Sequence, residues 1–142
     1  MYKLFICALF FSSFVLFSLT VIAQEDDTHV VHVQTFKMIA NFGDDAEAFG
    51  DMLRRQSETI NKDERVLSTR VLRHYWGADS RDLVLITEFK DMATLEAFYN
   101  DMNSMMEKAL GEEQSKKDNE LWNKYVGMHS DEVYSEVSGT RK

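Results

Sequence analysis

The chain has no proline at any of its 142 positions and only one cysteine, Cys7. Without proline there is no stiff linker or tail to divide it into spaced modules. Cys7 lies inside an amino-terminal apolar run that reads as a targeting segment, so the mature chain has no thiol. Disulfide staples, cysteine nucleophiles and thiolate metal sites are thereby excluded. Positive charge is scarce too: 16 Lys and Arg stand against 24 Asp and Glu, a formal net charge of −8, and loss of Lys3 with the signal makes the remainder more acidic. Such a surface repels phosphate backbones and anionic lipid, so neither nucleic acid nor a membrane is expected as partner of the mature chain. Serine-hydrolase elbows, phosphate loops, dinucleotide fingerprints and HExxH helices are missing, and the histidines show neither HxH nor HxxxH spacing. No cofactor and no metal is expected.

What is present begins with the signal segment, Met1 to Ala23. Lys3 supplies its positive start, Leu4 to Leu19 its apolar run, and Val21-Ile22-Ala23 a small-residue cut site. Cleavage after Ala23 is expected, leaving an extracytoplasmic protein, periplasmic or secreted. The alternative is an uncleaved anchor, since the run could just cross a hydrocarbon core of about 30 Å. Cys7 sits within the run rather than after it, which argues against a lipoprotein. The rest divides into an acidic leader (24–29), one domain (30–137) and a short tail (138–142). A domain of that size buries about two thirds of its unfolded surface and needs no staples.

Hydrophobic periodicity then gives an order of elements. Val30 to Met38 alternates as a strand and is broken by Ala40-Asn41-Phe42-Gly43. Asp44 or Asp45 caps a helix reaching about Asn61, with Phe49, Met52, Leu53, Gln56 and Ile60 on one stripe. A second strand is predicted from Arg65 to Trp76, a turn over Gly77 to Asp82, and a third strand from Leu83 to Lys90. Asp91 caps a second helix, whose stripe includes Leu95, Phe98, Tyr99, Met102, Met105 and Met106. Gly111 ends it. Glu112 to Asn119 reads as an exposed polar insertion, Glu120 to Val126 as a short further helix, and Glu132 to Val137 as the last strand.

This is an α+β pattern, βαββαβ: a four-stranded antiparallel sheet with its helices on one face. The third strand carries Leu83, Leu85 and Phe89 on one side and Val84 and Ile86 on the other. The second sets Leu67, Val71 and Tyr75 against Val66, Leu72 and Trp76. A sheet wetted on one face should alternate cleanly, and this one does not. A second copy docked about a two-fold axis is the simplest cover, giving a homodimer. The other cover is the polar insertion or the short third helix folded over that face.

The chain resembles the dimeric α/β barrel superfamily, which includes antibiotic-biosynthesis-type monooxygenases and stress-responsive barrel domains. The likeness rests on the element order, on Phe89-Lys90-Asp91-Met92-Ala93-Thr94-Leu95-Glu96-Ala97-Phe98, and on His129-Ser130-Asp131 before the last strand. It spans Val30 to Val137 and implies ferredoxin-like domains paired sheet to sheet. The superfold hosts unrelated activities, so it implies no single one.

Candidate chemistry is carried by a few side chains. His32, His74 and His129 come from three strand regions that the sheet could bring together, and His74 and His32 are the candidate acid or base. Arg70, His74 and Trp76 fall on one face of the second strand, where Trp and His could sandwich a planar ligand while Arg pairs its carboxylate. Glu88, Tyr99 and Trp122 could line a pocket between sheet and helices, and His129 is a further candidate ligand contact. Each of these also reads as an ordinary core or surface residue. Three functions remain open: an exported homodimer binding a small molecule, aromatic ones among the candidates; a cofactor-independent oxygenase or isomerase on a planar substrate; and a protein-interaction module.

Overall fold

The computed structural model describes residues 29–39 and 41–140; the expected signal segment with Cys7, the expected cut after Ala23, most of the acidic leader and the last two residues lie outside the described residues. Strand β1 is Val30–Met38. A 3-10 turn, Gly43–Asp45, leads into helix α1, Ala46–Ile60. Strands β2, Val66–Arg73, and β3, Asp82–Phe89, form a hairpin. Helices α2, Met92–Leu110, and α3, Glu112–Tyr125, precede strand β4, Val126–Ser135. The sheet runs β2-β3-β1-β4, every neighbouring pair antiparallel, as the βαββαβ pattern requires. The helices cover one face of it.

Period-two alternation on the central strands divides the sheet's two faces. Leu83 and Phe89 of β3, with Val30 and Phe36 of β1, are buried against the helices. Two clusters result. Val30, Val66, Phe89, Leu95 and Phe98 fill one end; Phe36, Phe49, Met52, Leu83 and Tyr125 fill the other. Met102 and Met105 pack on the first cluster as thioether filling. On the opposite face, Val31 and Val33 stand across from Glu88 and Ile86, while Leu72 and Tyr134 are 47 % and 53 % exposed. Apolar side chains therefore occupy both faces.

The second strand is shorter and less regular than its apolar run predicts. It ends at Arg73; His74 makes one last backbone bond to Asp82 (3.0 Å), and Tyr75 and Trp76 leave the sheet, 99 % and 92 % exposed. Asp79 gathers Arg81 (2.9 Å) and Lys37 (3.3 Å) and folds the turn back on itself. A bulge at Leu67 also shifts the register, so Val66 pairs with Phe89 but Ser68 with Glu88. Val66 and Val71, five residues apart, thus both face the helices, where a straight strand would separate them.

The predicted polar insertion is the first half of α3. It lacks an apolar stripe, so periodicity does not reveal it. Polar contacts hold it instead: Glu113 accepts from Lys117 one turn on (2.7 Å), and buried Asp118 accepts from Arg55 (2.6 Å) and Gln114 (2.8 Å). Gly111 alone separates α2 from α3, with φ of +82°, a conformation that side-chain-bearing residues avoid. The last strand starts six residues earlier than predicted, because β1 pairs with it through backbone bonds while most of its side chains stay exposed. Asp91 caps α2 through the Thr94 amide (2.7 Å). Asp45 caps nothing by its side chain; it accepts from the Tyr125 hydroxyl and the Lys124 ammonium (both 2.6 Å), tying the start of α1 to the end of α3.

Candidate functional site

The inward row of β1 reads Val30, His32, Gln34, Phe36, two polar groups set between apolar ones. Buried polar groups on a central strand need partners, and these find them in one network. His32 is 6 % exposed, with Nδ1 2.7 Å from the Tyr99 hydroxyl and Nε2 3.2 Å from Asp131 Oδ1. A carboxylate only accepts, so Nε2 carries the ring proton and Nδ1 accepts from the phenol. Gln34 donates to the same Asp131 oxygen (2.8 Å), and its Oε1 lies 3.3 Å from the Tyr99 hydroxyl. His129 Nε2 reaches the other Asp131 oxygen at 3.1 Å.

Burial pushes His32 below the ordinary histidine value, an effect that the Asp131 charge and hydrogen bond partly offset. Tyr99 is pushed up to about 12, by burial first and by the negative charge of Asp131 second. At neutral pH the pair is a neutral imidazole accepting from a protonated phenol.

Tyr99 forms part of the wall of a cavity of about 820 Å³ between the sheet and helices α2 and α3. Phe36, Phe98 and Trp122 are its aromatic surfaces, and Gln34, Tyr99 and His129 its polar group on the sheet side. Trp122 meets Phe36 edge-on (4.8 Å between ring centres), and His129 stacks on Phe36 from the other direction (4.9 Å). Four carboxylates, Glu107, Glu112, Asp118 and Glu120, also line it, against one lysine among the described residues, Lys116.

Of the residues singled out from sequence, Tyr99, Trp122 and His129 meet at this cavity, and His32 stands behind Tyr99. The others lie elsewhere. His74 lines a separate cavity of about 760 Å³ beside α1. Arg70 pairs with Glu88 (3.2 Å) on the sheet face away from the helices, because the inward positions of β3 are taken by Leu83, Leu85, Thr87 and Phe89. Glu88 therefore cannot line a pocket beneath the helices. Trp76, at the hairpin tip, shares no face with Arg70 or His74. Gln34 and Asp131 were not singled out, although each sits two residues from a candidate histidine and so on the same face of its strand.

No family of known proteins matches the chain by sequence, and no curated protein does. Solved structures match by shape. SnoaB, a cofactor-independent oxygenase from Streptomyces nogalater, superposes with a TM-score of 0.50 at 10% identity, over 80% of this chain and 98% of that one. A candidate antibiotic biosynthesis monooxygenase from Nitrosomonas europaea gives 0.51 at 14% identity, over 81% and 95%. A dabb family protein with a ferredoxin-like fold from Mesorhizobium loti gives 0.52 at 14% identity, over 78% and 99%. The chain is an α+β protein with the ferredoxin-like fold that these antibiotic-monooxygenase and dabb-type structures share, in keeping with the resemblance carried by its sequence. At such identities the likeness concerns fold and leaves the site to be argued on its own residues.

Proposed function

We propose that this protein binds a small planar aromatic molecule in the cavity beneath α2 and α3. One observation carries the reading: three aromatic side chains face a space of about 820 Å³ whose sheet-side polar group is held by a buried histidine and a shared carboxylate. That size lies within the usual 300–1,000 Å³ of small-molecule sites, and so does the pattern of apolar walls with a few fixed polar groups. The acidic lining favours a neutral or cationic ligand with a hydroxyl to share with Tyr99. The chain has two tryptophans, so in a Trp76→Phe background emission reports on Trp122 alone. Saturable quenching by 2-naphthol, weakened in Tyr99→Phe, is the expected result; quenching that never saturates overturns the reading. Native mass spectrometry of protein purified from its own compartment would show a retained molecule directly.

A second reading, a cofactor-independent oxygenase or isomerase, is favoured by the Tyr99–His32 hydrogen bond and by the fold shared with a protein described as such an oxygenase. In it the ligand hydroxyl passes its proton to Tyr99 oxygen while the phenol proton moves to His32 Nδ1. The resulting imidazolium faces Asp131. Oxygen uptake with a hydroxylated planar substrate, lost in both Tyr99→Phe and His32→Gln with the fold intact, would select this reading over binding alone.

The assembly and compartment belong to the same proposal. Val33, Ile86, Leu72 and Tyr134 on the helix-free face support a homodimer joined sheet to sheet. Sedimentation of wild type and Ile86→Glu at micromolar loading tests it: a wild-type dimer, dissociated by the charge, is expected, and a wild-type monomer rejects it. The signal sequence supports export, with a mature amino terminus at Gln24 as the measurable consequence.

A further inference from the structure

The second cavity, about 760 Å³, lies between α1, the turn preceding it, and the turn end of the β2–β3 hairpin. Its floor is apolar: Met38, Phe42, Leu53, Val71 and Leu83. Its rim is cationic, a departure from the rest of this acidic chain. Arg54, Arg73 and Arg81 line it with His74, against the carboxylates Glu58 and Asp82. Most of that charge is already engaged. Arg54 pairs with Asp51, Arg81 chelates Asp79 through two nitrogens (both 2.9 Å), and Asp82 is taken by Lys37. Arg73 is the exception. It occupies the last inward position of β2, opposite Leu83, with no ion pair or side-chain hydrogen bond to any described residue.

His74 is held beside it by the backbone. Its amide closes the hairpin ladder on Asp82, and its ring rests over Gly77, where a Cβ would come within 3.0 Å of the imidazole. Gly77 has φ of +145°, so both its conformation and its bare Cα suit the ring's seat. Two donors, one permanently charged and neither spent on a described residue, thus stand over an apolar floor.

We infer that this cavity is a second binding site, taking a carboxylate carried on an apolar body, with Arg73 and His74 holding the carboxylate and Phe42, Leu53 and Val71 receiving the apolar part. A guanidinium matches a carboxylate with two parallel hydrogen bonds, and the half-shielded rim strengthens them relative to bulk water. A neutral ligand of the same shape gains only the floor. A carboxylate also avoids the first cavity, whose lining is predominantly acidic.

Calorimetric titration of the mature protein with 2-naphthoate, and with its neutral analogue 2-naphthamide, tests the inference. The naphthoate is expected to bind once per chain, and the amide about ten-fold or more weakly, the usual worth of a charge-assisted hydrogen bond. Arg73→Gln should bring the naphthoate down to the amide's affinity, Arg73→Lys should keep most of it, and Tyr99→Phe should leave it unchanged. Circular dichroism of each variant confirms the fold, which an exposed unpaired arginine does not support. Equal affinities for acid and amide, an unaltered Arg73→Gln, or loss of naphthoate binding in Tyr99→Phe would each overturn it.

Discussion

The cavity under α2 and α3 and the cavity beside α1 share one aromatic partition and offer a ligand different charged groups. Trp122 lines the first and Phe49 the second, their rings nearly parallel at 6.4 Å. On one side stand four carboxylates and a buried phenol–imidazole pair; on the other, three arginines and a histidine, with Glu58 and Asp82, above an apolar floor. The two are close in volume, so size does not decide what enters each. Charge and hydrogen-bond donors do. A ligand's ionisation state, more than its shape, then selects its cavity.

The hardest way to break that separation is to remove the partition. Phe49 is 2 % exposed and touches Phe42 and Tyr125 as well as Trp122. Phe49→Ala should cost about 3–5 kcal/mol, the usual loss when a buried aromatic is truncated to leave a cavity. Urea unfolding measures it, and the variant should also lose the discrimination between 2-naphthol and 2-naphthoate. A loss below about 1 kcal/mol would mean that the partition is not packed as described.

Next in size is Tyr99→Phe. It leaves the cavity's shape and strips the donor from His32, so 2-naphthol affinity should fall about ten-fold, in line with one buried hydrogen bond of roughly 1–1.5 kcal/mol. The cationic cavity should not respond. Turnover, if the site is catalytic, should fall far more than affinity, because the proton path runs through that hydroxyl.

The pH dependence of stability sharpens the comparison further. Burial lowers the folded-state value of His32 beneath the ordinary 6.5, so between those two values the unfolded chain binds more protons. Its contribution is whole above about pH 6.5 and is lost as the pH falls toward the folded value. His32→Gln should flatten the acid side of the stability profile below pH 6.5, seen as converging urea midpoints. A parallel, undiminished slope in the variant would assign the acid loss to the protein's carboxylates instead.

How much of this was legible in the sequence follows from which interactions leave a periodic trace. The sheet, the hairpin and the cap at Asp91 depend on apolar alternation and a capping residue, and those are visible in one chain. The first half of α3 is not, since it is held by Arg55–Asp118 across 63 residues rather than by a stripe. Bulging at Leu67 escaped for a like reason: a bulge is a property of the pair of strands, and neither strand announces it alone. At the site, Tyr99 and Trp122 were visible as aromatics on helices, but Asp131 joins His32 and His129 only after β4 is laid beside β1. Arg70, His74 and Trp76 illustrate the converse. They are neighbours in sequence, and the hairpin sends them to the outer face, to the second cavity and to solvent.

The smallest expected effect is at Trp76. Large aromatics usually announce a core or a binding surface, and this one is 92 % exposed at the tip of a turn, beside Tyr75 at 99 %. With so little surface buried, Trp76→Ala should change stability by no more than about 0.5 kcal/mol and leave both affinities where they were. The hairpin tip is nevertheless continuous with the cationic rim, since His74, Ser80 and Arg81 line that cavity on either side of it. If Trp76→Ala weakens 2-naphthoate alone, the tip closes over the carboxylate site and the two cavities differ in mobility as well as in charge. If neither ligand notices, the difference between them rests on fixed side chains.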